Sequence, residues 1–258
     1  LQRRLKTGRF YLPKGTSFDE LYEQRVKDDF GALINQALHA IEDANKSTLE
    51  NIFQSVDFNS ESVLGKKSKR NPMLIGLFEV FKTADLDISN QDVVGNAYMY
   101  LIERFGSDAG KKAGEFFTPA KVSELLAKLG GARDGFLILD PACGSGGLLL
   151  LAGHEVPSGN CALYGQESVG TTYNMARMNM FLHGKNSARI EWGDSLREPA
   201  FVEAGLCVYF AYDSVGEGLY GACCCYRSAR SIVSRGKRGA HTSIFDRRQF
   251  IGCGYRTS

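Results

Sequence analysis

Long apolar stretches are missing. No run of 18 or more apolar residues occurs in the 258-residue chain, so no conventional membrane-spanning helix is expected. The opening residues, LQRRLKTGRF, lack the apolar core of a signal peptide, and a cytoplasmic protein is the expectation. An excess of charge is missing too. The 31 Lys+Arg and 29 Asp+Glu leave +2, too little to argue for nucleic acid, because that argument needs a basic face rather than a total. There is no CxxC with a nearby His, and the adjacent Cys223, Cys224 and Cys225 cannot readily ligate one ion or pair together, so a zinc site is not expected. No Gly-Lys-Ser/Thr follows a glycine loop, which excludes a P-loop. What remains is a chain 43% hydrophobic, enough for a core in one large or two small domains.

The first hundred residues carry helical periodicity. Ser17 and Glu20 form a capping-box pattern ahead of Val26, Phe30, Leu33, Ile34, Ala37, Leu38 and Ile41, which predicts one amphipathic helix of about six or seven turns. Asn71 and Pro72 fit the cap and first position of a second helix bearing Met73, Leu74, Leu77, Phe78 and Phe81. Asn90 fits the cap of a third, with Val93, Val94, Ala97, Tyr98, Leu101, Ile102 and Phe105 on one face, ending at Gly106. Between the first two lies GKKSKR (Gly65 to Arg70). It is expected to be a solvated loop, with contact to DNA phosphates as the alternative.

After Gly110 strands and helices alternate. Thr118 and Pro119 open a helix carrying Val122, Leu125, Leu126 and Leu129, closed by Gly130 and Gly131. Phe136 to Leu139 reads as a buried parallel strand ending at Asp140, followed by Pro-Ala-Cys-Gly-Ser-Gly-Gly, residues 141 to 147, with a helix starting inside that loop. Ala162 to Gly165 reads as a second strand ending near Glu167, Thr171 to His183 as a helix, and Ala188 to Trp192 as a third strand ending near Asp194. The result is β-α-β-α-β, half of a doubly wound sheet.

In such sheets ligands bind beyond the carboxyl ends of the strands. Asp140, Glu167 and Asp194 each stand there, 27 residues apart in both steps. Gly144, Gly146 and Gly147 let the backbone approach a ligand and offer amide hydrogens at a helix start. A dinucleotide fingerprint fails, because counting GxGxxG/A from Gly144 places Leu149 last, so NAD is disfavoured. Alone, Glu167 or Asp194 reads as a loop acid or a cap; three acids at successive strand ends read as a binding site. Cys143 reads as a packing residue, and His154 and His183 as capping or packing residues at helix ends.

GEFFTPAKV (Gly114 to Val122) followed by LDPACGSGG (Leu139 to Gly147), YGQE (Tyr164 to Glu167) and WGDSL (Trp192 to Leu196) resembles the S-adenosylmethionine-dependent adenine-N6 DNA methyltransferases. The likeness is to the modification subunit of type I restriction-modification systems, over approximately residues 8 to 199. It implies an α-helical N-terminal domain (1–110) and an incomplete doubly wound, Rossmann-like α/β methyltransferase domain (111–200), with an atypical tail (201–258). It further implies that Phe117, Thr118 and Pro119 line the methionine end of S-adenosylmethionine. Asp140, Ala142, Cys143, Gly144, Ser145 and Gly146 would hold its amino acid and ribose edge, Glu167 its ribose hydroxyls, and Asp194 its adenine amine. The implied partners are DNA with an adenine target, a specificity subunit, a second modification subunit and a restriction subunit.

The family's methyl transfer depends on an Asn/Asp/Ser-Pro-Pro-aromatic segment that binds the flipped adenine. The sequence contains none; its one Asn-Pro, Asn71-Pro72, is followed by Met73. Composition also changes near residue 200. Residues 201–258 hold five of the seven cysteines and eight basic residues, seven of them arginine. That predicts a shifted reading frame or disrupted gene end, the alternative being a genuine basic terminus. Two functions therefore stand: an adenine-N6 methyltransferase subunit without its catalytic segment, or a non-catalytic remnant that binds S-adenosylmethionine or docks the specificity subunit. A self-contained enzyme carrying its own DNA reader would need a longer chain.

Overall fold

The computed structural model describes residues 10–54, 56–84, 90–108 and 118–201. Phe117 and the tail after Phe201 lie outside these. The chain divides into two compact units, Leu1–Asn90 and Gln91–Ser258.

The first unit contains α1 (Phe18–Glu23), α2 (Phe30–Ala44), α3 (Lys46–Leu49), α4 (Glu61–Leu64) and α5 (Lys67–Thr83). Phe30, Ile34 and Leu74 form its buried centre, with Leu33, Leu38, Phe58, Ile75 and Phe78 packed around them. The Ser17–Glu20 capping box is present in both directions. The long helix expected after it is instead two helices, α1 and α2. Gln24, Arg25 and Lys27 donate backbone hydrogen bonds three residues back, to Leu21, Tyr22 and Gln24, which tightens and ends the helical turn. Arg25 then lies over the Tyr22 ring and pairs with Glu79. Val26, in register with the apolar face, stays 78% exposed.

The second expected helix starts earlier than Asn71. It begins at Lys67, directly after Gly65 turns the chain with a positive φ. Most of GKKSKR is therefore the first helical turn rather than a loop. Arg70 is buried, donating to the carbonyl of Asn59 at 2.9 Å and facing Asp29 at 3.6 Å, while Lys67 pairs with Asp28 at 2.7 Å. Pro72 lies inside the helix, where its missing N–H removes one bond near the helix start.

The second unit contains α6 (Gln91–Asp108), α7 (Ala120–Gly130), β1 (Leu137–Asp140), α8 (Gly147–His154), β2 (Ala162–Glu167), α9 (Gly170–Leu182) and β3 (Arg189–Trp192). The third expected helix, grouped by sequence with the N-terminal 110 residues, is α6, and it packs on α9 in the α/β unit. Its contact face includes Gly95 and Met99. Gly95 lies so close to the His183 ring that a Cβ there would come within 2.7 Å of Nε2. Leu101, expected on the inner face, is 43% exposed.

The three strands are parallel in the order β1-β2-β3, with Asp140 paired to Gly165 and Glu167 to Trp192. Parallel strands need crossovers, and α8 and α9 supply them. Ile138, Leu149 and Ala176 are fully buried and join strand to helices in one core with Leu126, Leu163 and Met180. Gly131 takes the left-handed conformation that ends α7. No helix among the described residues is long and apolar enough to cross a membrane.

Candidate functional site

The sheet brings the ends of β1 and β2 together, and with them two acids. Asp140 closes β1 and Glu167 closes β2; both are buried, at 3% and 6% exposure. The glycine loop is folded over them by its own backbone. Cys143 N–H donates to the Gln166 carbonyl at 3.0 Å, Gly146 N–H donates to the Cys143 carbonyl at 2.8 Å, and Gly144 and Gly146 both have positive φ. An L side chain at either glycine would be strained, which explains the residue type at those two points.

Glu167 clamps the loop. Its Oε2 accepts from Gly144 N–H at 3.0 Å, and its Oε1 accepts from Val169 N–H at 2.8 Å. Ser168 Oγ also donates to Oε1, at 3.4 Å. A carboxylate has roughly four acceptor sites, so Oε2 keeps capacity for a ligand hydroxyl. Asp140 Oδ1 accepts from Ala142 N–H at 3.1 Å. Burial pushes the Asp140 carboxyl up to about 7, and the nearby Glu167 carboxylate pushes the same way against the lowering effect of the Ala142 N–H. A buried acid poised in this way ionises when a cationic group arrives beside it.

Cys143 is buried against β2, where a Cβ at Gly165 would lie 2.9 Å from its sulfur. Burial, then Asp140 and Glu167, raise its thiol well above the usual range, so it packs and does not act as a nucleophile. Ser145 is buried, and its carbonyl accepts from the Asn179 amide at 2.9 Å. Asp194 stands past β3, but its bonds are local: Oδ1 accepts from Leu196 and Arg197 N–H, and Oδ2 faces Arg197 at 3.4 Å. It is joined to the other acids through the backbone, since Gly193 N–H donates to the Glu167 carbonyl at 2.9 Å. Thr118 is half-buried at the start of α7 and its carbonyl accepts from Ser123 Oγ at 3.3 Å. Pro119 is exposed there. No hydrogen bond among the described residues joins either to the glycine loop. His154 and His183 lie at the ends of α8 and α9 with ring centroids 6.4 Å apart.

Three participants were not legible in advance. Asn179 is hidden in the apolar pattern of α9. Gln166 ties residues 198 to 200 to β2, donating to the Glu198 carbonyl and accepting from Ala200 N–H. Trp192 Nε1–H donates to the Ser168 carbonyl at 2.9 Å, bracing the turn after Glu167 while staying 67% exposed.

The family model described as N-6 DNA Methylase matches residues 89–209, and that described as HsdM N-terminal domain matches residues 1–81. The chain belongs to the HsdM-like family of N-6 DNA methylases. A type I restriction enzyme methylase subunit of Methanocaldococcus jannaschii is 34% identical over 168 residues, covering 64% of this chain and 29% of that protein. One of Mycoplasma pneumoniae is 39% identical over 150 residues, covering 54% of this chain and 27% of that protein. The crystal structure of a type I restriction-modification methyltransferase subunit from Streptococcus thermophilus matches with a TM-score of 0.67 and 30% identity, covering 78% of this chain and 44% of that one. The chain thus spans about a third or less of the curated relatives it matches. The N-terminal match ends at residue 81 and the other begins at 89, close to the division between the two units after Asn90.

Proposed function

We propose that this HsdM-like chain supplies the S-adenosylmethionine-binding part of a DNA adenine-N6 methyltransferase subunit of a type I restriction-modification system. The observation that carries this is the Asp140–glycine loop–Glu167 arrangement. Two buried carboxylates converge on a loop that Gly144 and Gly146 turn with positive φ. The donor set fits the cofactor's chemistry: Glu167 retains acceptor capacity on Oε2 for a ribose hydroxyl, and Asp140 is an acid that a cationic amino-acid end would draw into its ionised form. Asp194 is assigned to the adenine amine, with its Arg197 contact as the competitor for Oδ2. Thr118 and Pro119, with Phe117, are assigned to the methionine end; Ala142, Cys143, Gly144, Ser145 and Gly146 shape the loop. When bound, S-adenosylmethionine supplies an activated methyl group. The protein's own residues hold and orient it.

The target is an adenine in DNA, and the partners are a specificity subunit, a second modification subunit and a restriction subunit, in the cytoplasm. Within the 258 residues there is no Asn/Asp/Ser-Pro-Pro-aromatic segment to receive the flipped base. That observation favours a second reading, in which this polypeptide binds cofactor or docks the specificity subunit without catalysing transfer. Incubation with tritium-labelled cofactor and DNA, with and without a specificity subunit, separates the two. No label on DNA together with measurable cofactor binding is the expected result for this chain. Labelled DNA would show that the base is held by other residues.

A further inference from the structure

Asn179 is fully buried in α9, and a buried amide is costly unless its bonds are made. Its Nδ2 donates to the Ser145 carbonyl at 2.9 Å and lies 3.0 Å from Met99 Sδ on α6. Its Oδ1 has no hydrogen-bond partner among the described residues. An aliphatic side chain would fill this space without an orphaned oxygen, so the amide is maintained against a local penalty. What it secures is one peptide plane of the glycine loop. The carbonyl of that plane, from Ser145, is held by Asn179, and its N–H, from Gly146, is held by the Cys143 carbonyl at 2.8 Å. Gly146 then turns with φ +80° into the first residue of α8. Met99 and Met180 close in around the turn: a Cβ at Gly147 would meet Met99 Cε at 2.9 Å, and one at Gly146 would meet Met180 Cε at 2.8 Å.

We propose that Asn179 is a positioning residue for the cofactor loop, orienting the Ser145–Gly146 peptide so that the loop and the start of α8 are preset for S-adenosylmethionine. This rests on the cofactor assignment made above. The acid variant of the same shape tests it. In Asn179→Asp the protonated carboxyl can donate to the Ser145 carbonyl, whereas the carboxylate cannot and repels it. A buried carboxyl titrates several pH units above its ordinary value, so the switch falls within reach.

The experiment is titration of the full chain with S-adenosylmethionine between about pH 6 and pH 9.5, a window spanning raised carboxyl values. Wild type and Asn179→Asp are compared as a ratio of dissociation constants at each pH. Asp140 and His183, whose Nδ1 lies 3.0 Å from the Asn179 carbonyl, are common to both proteins and cancel in the ratio. The ratio is expected to be near one at the acid end and to rise by about tenfold at the alkaline end, the scale of one hydrogen bond of about 1.4 kcal/mol. Asn179→Leu is expected to bind weakly at every pH. A flat ratio, or Asn179→Leu binding as tightly as wild type, overturns the positioning role alone. Loss of fold by Asn179→Asp as the pH rises makes Asn179 a structural residue and overturns the proposal. Wild type that binds no cofactor at any pH overturns the cofactor assignment itself, and the proposal with it.

Discussion

Replacing Glu167 by Gln tests the loop clamp at the level of single hydrogen bonds. The carboxylate receives two backbone donors on different oxygens, Gly144 N–H at 3.0 Å and Val169 N–H at 2.8 Å. Glutamine has one oxygen and one NH₂ group in the same space, so either orientation sets a donor against a donor. One backbone N–H is left unsatisfied, and the other keeps a bond to a neutral rather than a charged acceptor. An orphaned buried donor costs about 1–3 kcal/mol, and bonds to charged groups are worth about 1.5–3 kcal/mol against about 1 kcal/mol for neutral ones. A net loss of about 2–3 kcal/mol follows, the upper end being offset by relief of the repulsion between Glu167 and Asp140. For a unit the size of Gln91–Ser258 each kcal/mol shifts the melting point by about 2–4 °C, so the drop should be about 4–12 °C. Calorimetric melting of wild type and Glu167→Gln measures it directly. A variant melting within about a degree of wild type, far below that scale, would refute the clamp.

The pH behaviour of Asp140 gives a second prediction. Its folded value, about 7, lies above the ordinary carboxylate value of 3.8, so its contribution is complete below about pH 4 and is lost as the pH rises towards 7. Between those limits wild-type stability should fall relative to Asp140→Asn by up to about 1.4 kcal/mol per pH unit, with no further relative change above 7; urea midpoints at several pH values check this. Trp192 is the chain's single tryptophan and braces the turn after Glu167, so cofactor titration should change its emission, and an unaltered spectrum at saturation would count against the site's location. In the first unit, Arg70→Met should cost about 2–3 kcal/mol by leaving the Asn59 carbonyl without its charged donor, visible as a lower denaturant midpoint; Lys69→Met, on the exposed side, should change it by less than about 0.5 kcal/mol.

Much of the α/β unit was legible because parallel strands are short apolar runs and acids stand at their carboxyl ends. The observed strands lie within about two residues of those expected, and Asp140 and Glu167 meet at the glycine loop. Helical periodicity was less informative. Val26 is in register with Phe30 and Ile34, yet the chain turns there because Arg25 is committed to Tyr22 and Glu79, a partner 54 residues away. Pro72 reads as a helix start by local preference, but Gly65 ends the preceding helix and the buried Arg70 anchors the new one a turn earlier. Apolar faces wider than one contact stripe hid which side is covered, so Leu101 on α6 and Leu125 on α7 were expected inside and are exposed. Asn179 was invisible for a different reason. A polar residue in an apolar helix gives no sign of whether it faces solvent or a carbonyl 34 residues earlier.

The central claim is that the Asp140–glycine loop–Glu167 site binds S-adenosylmethionine. Isothermal titration of the whole chain with that cofactor tests it most directly, using Asp140→Ala as the comparison. Saturable heat at one site per chain in the wild type, lost in the variant while its fold persists, is the predicted result. Equal heats for the two proteins, or none for the wild type, would contradict it.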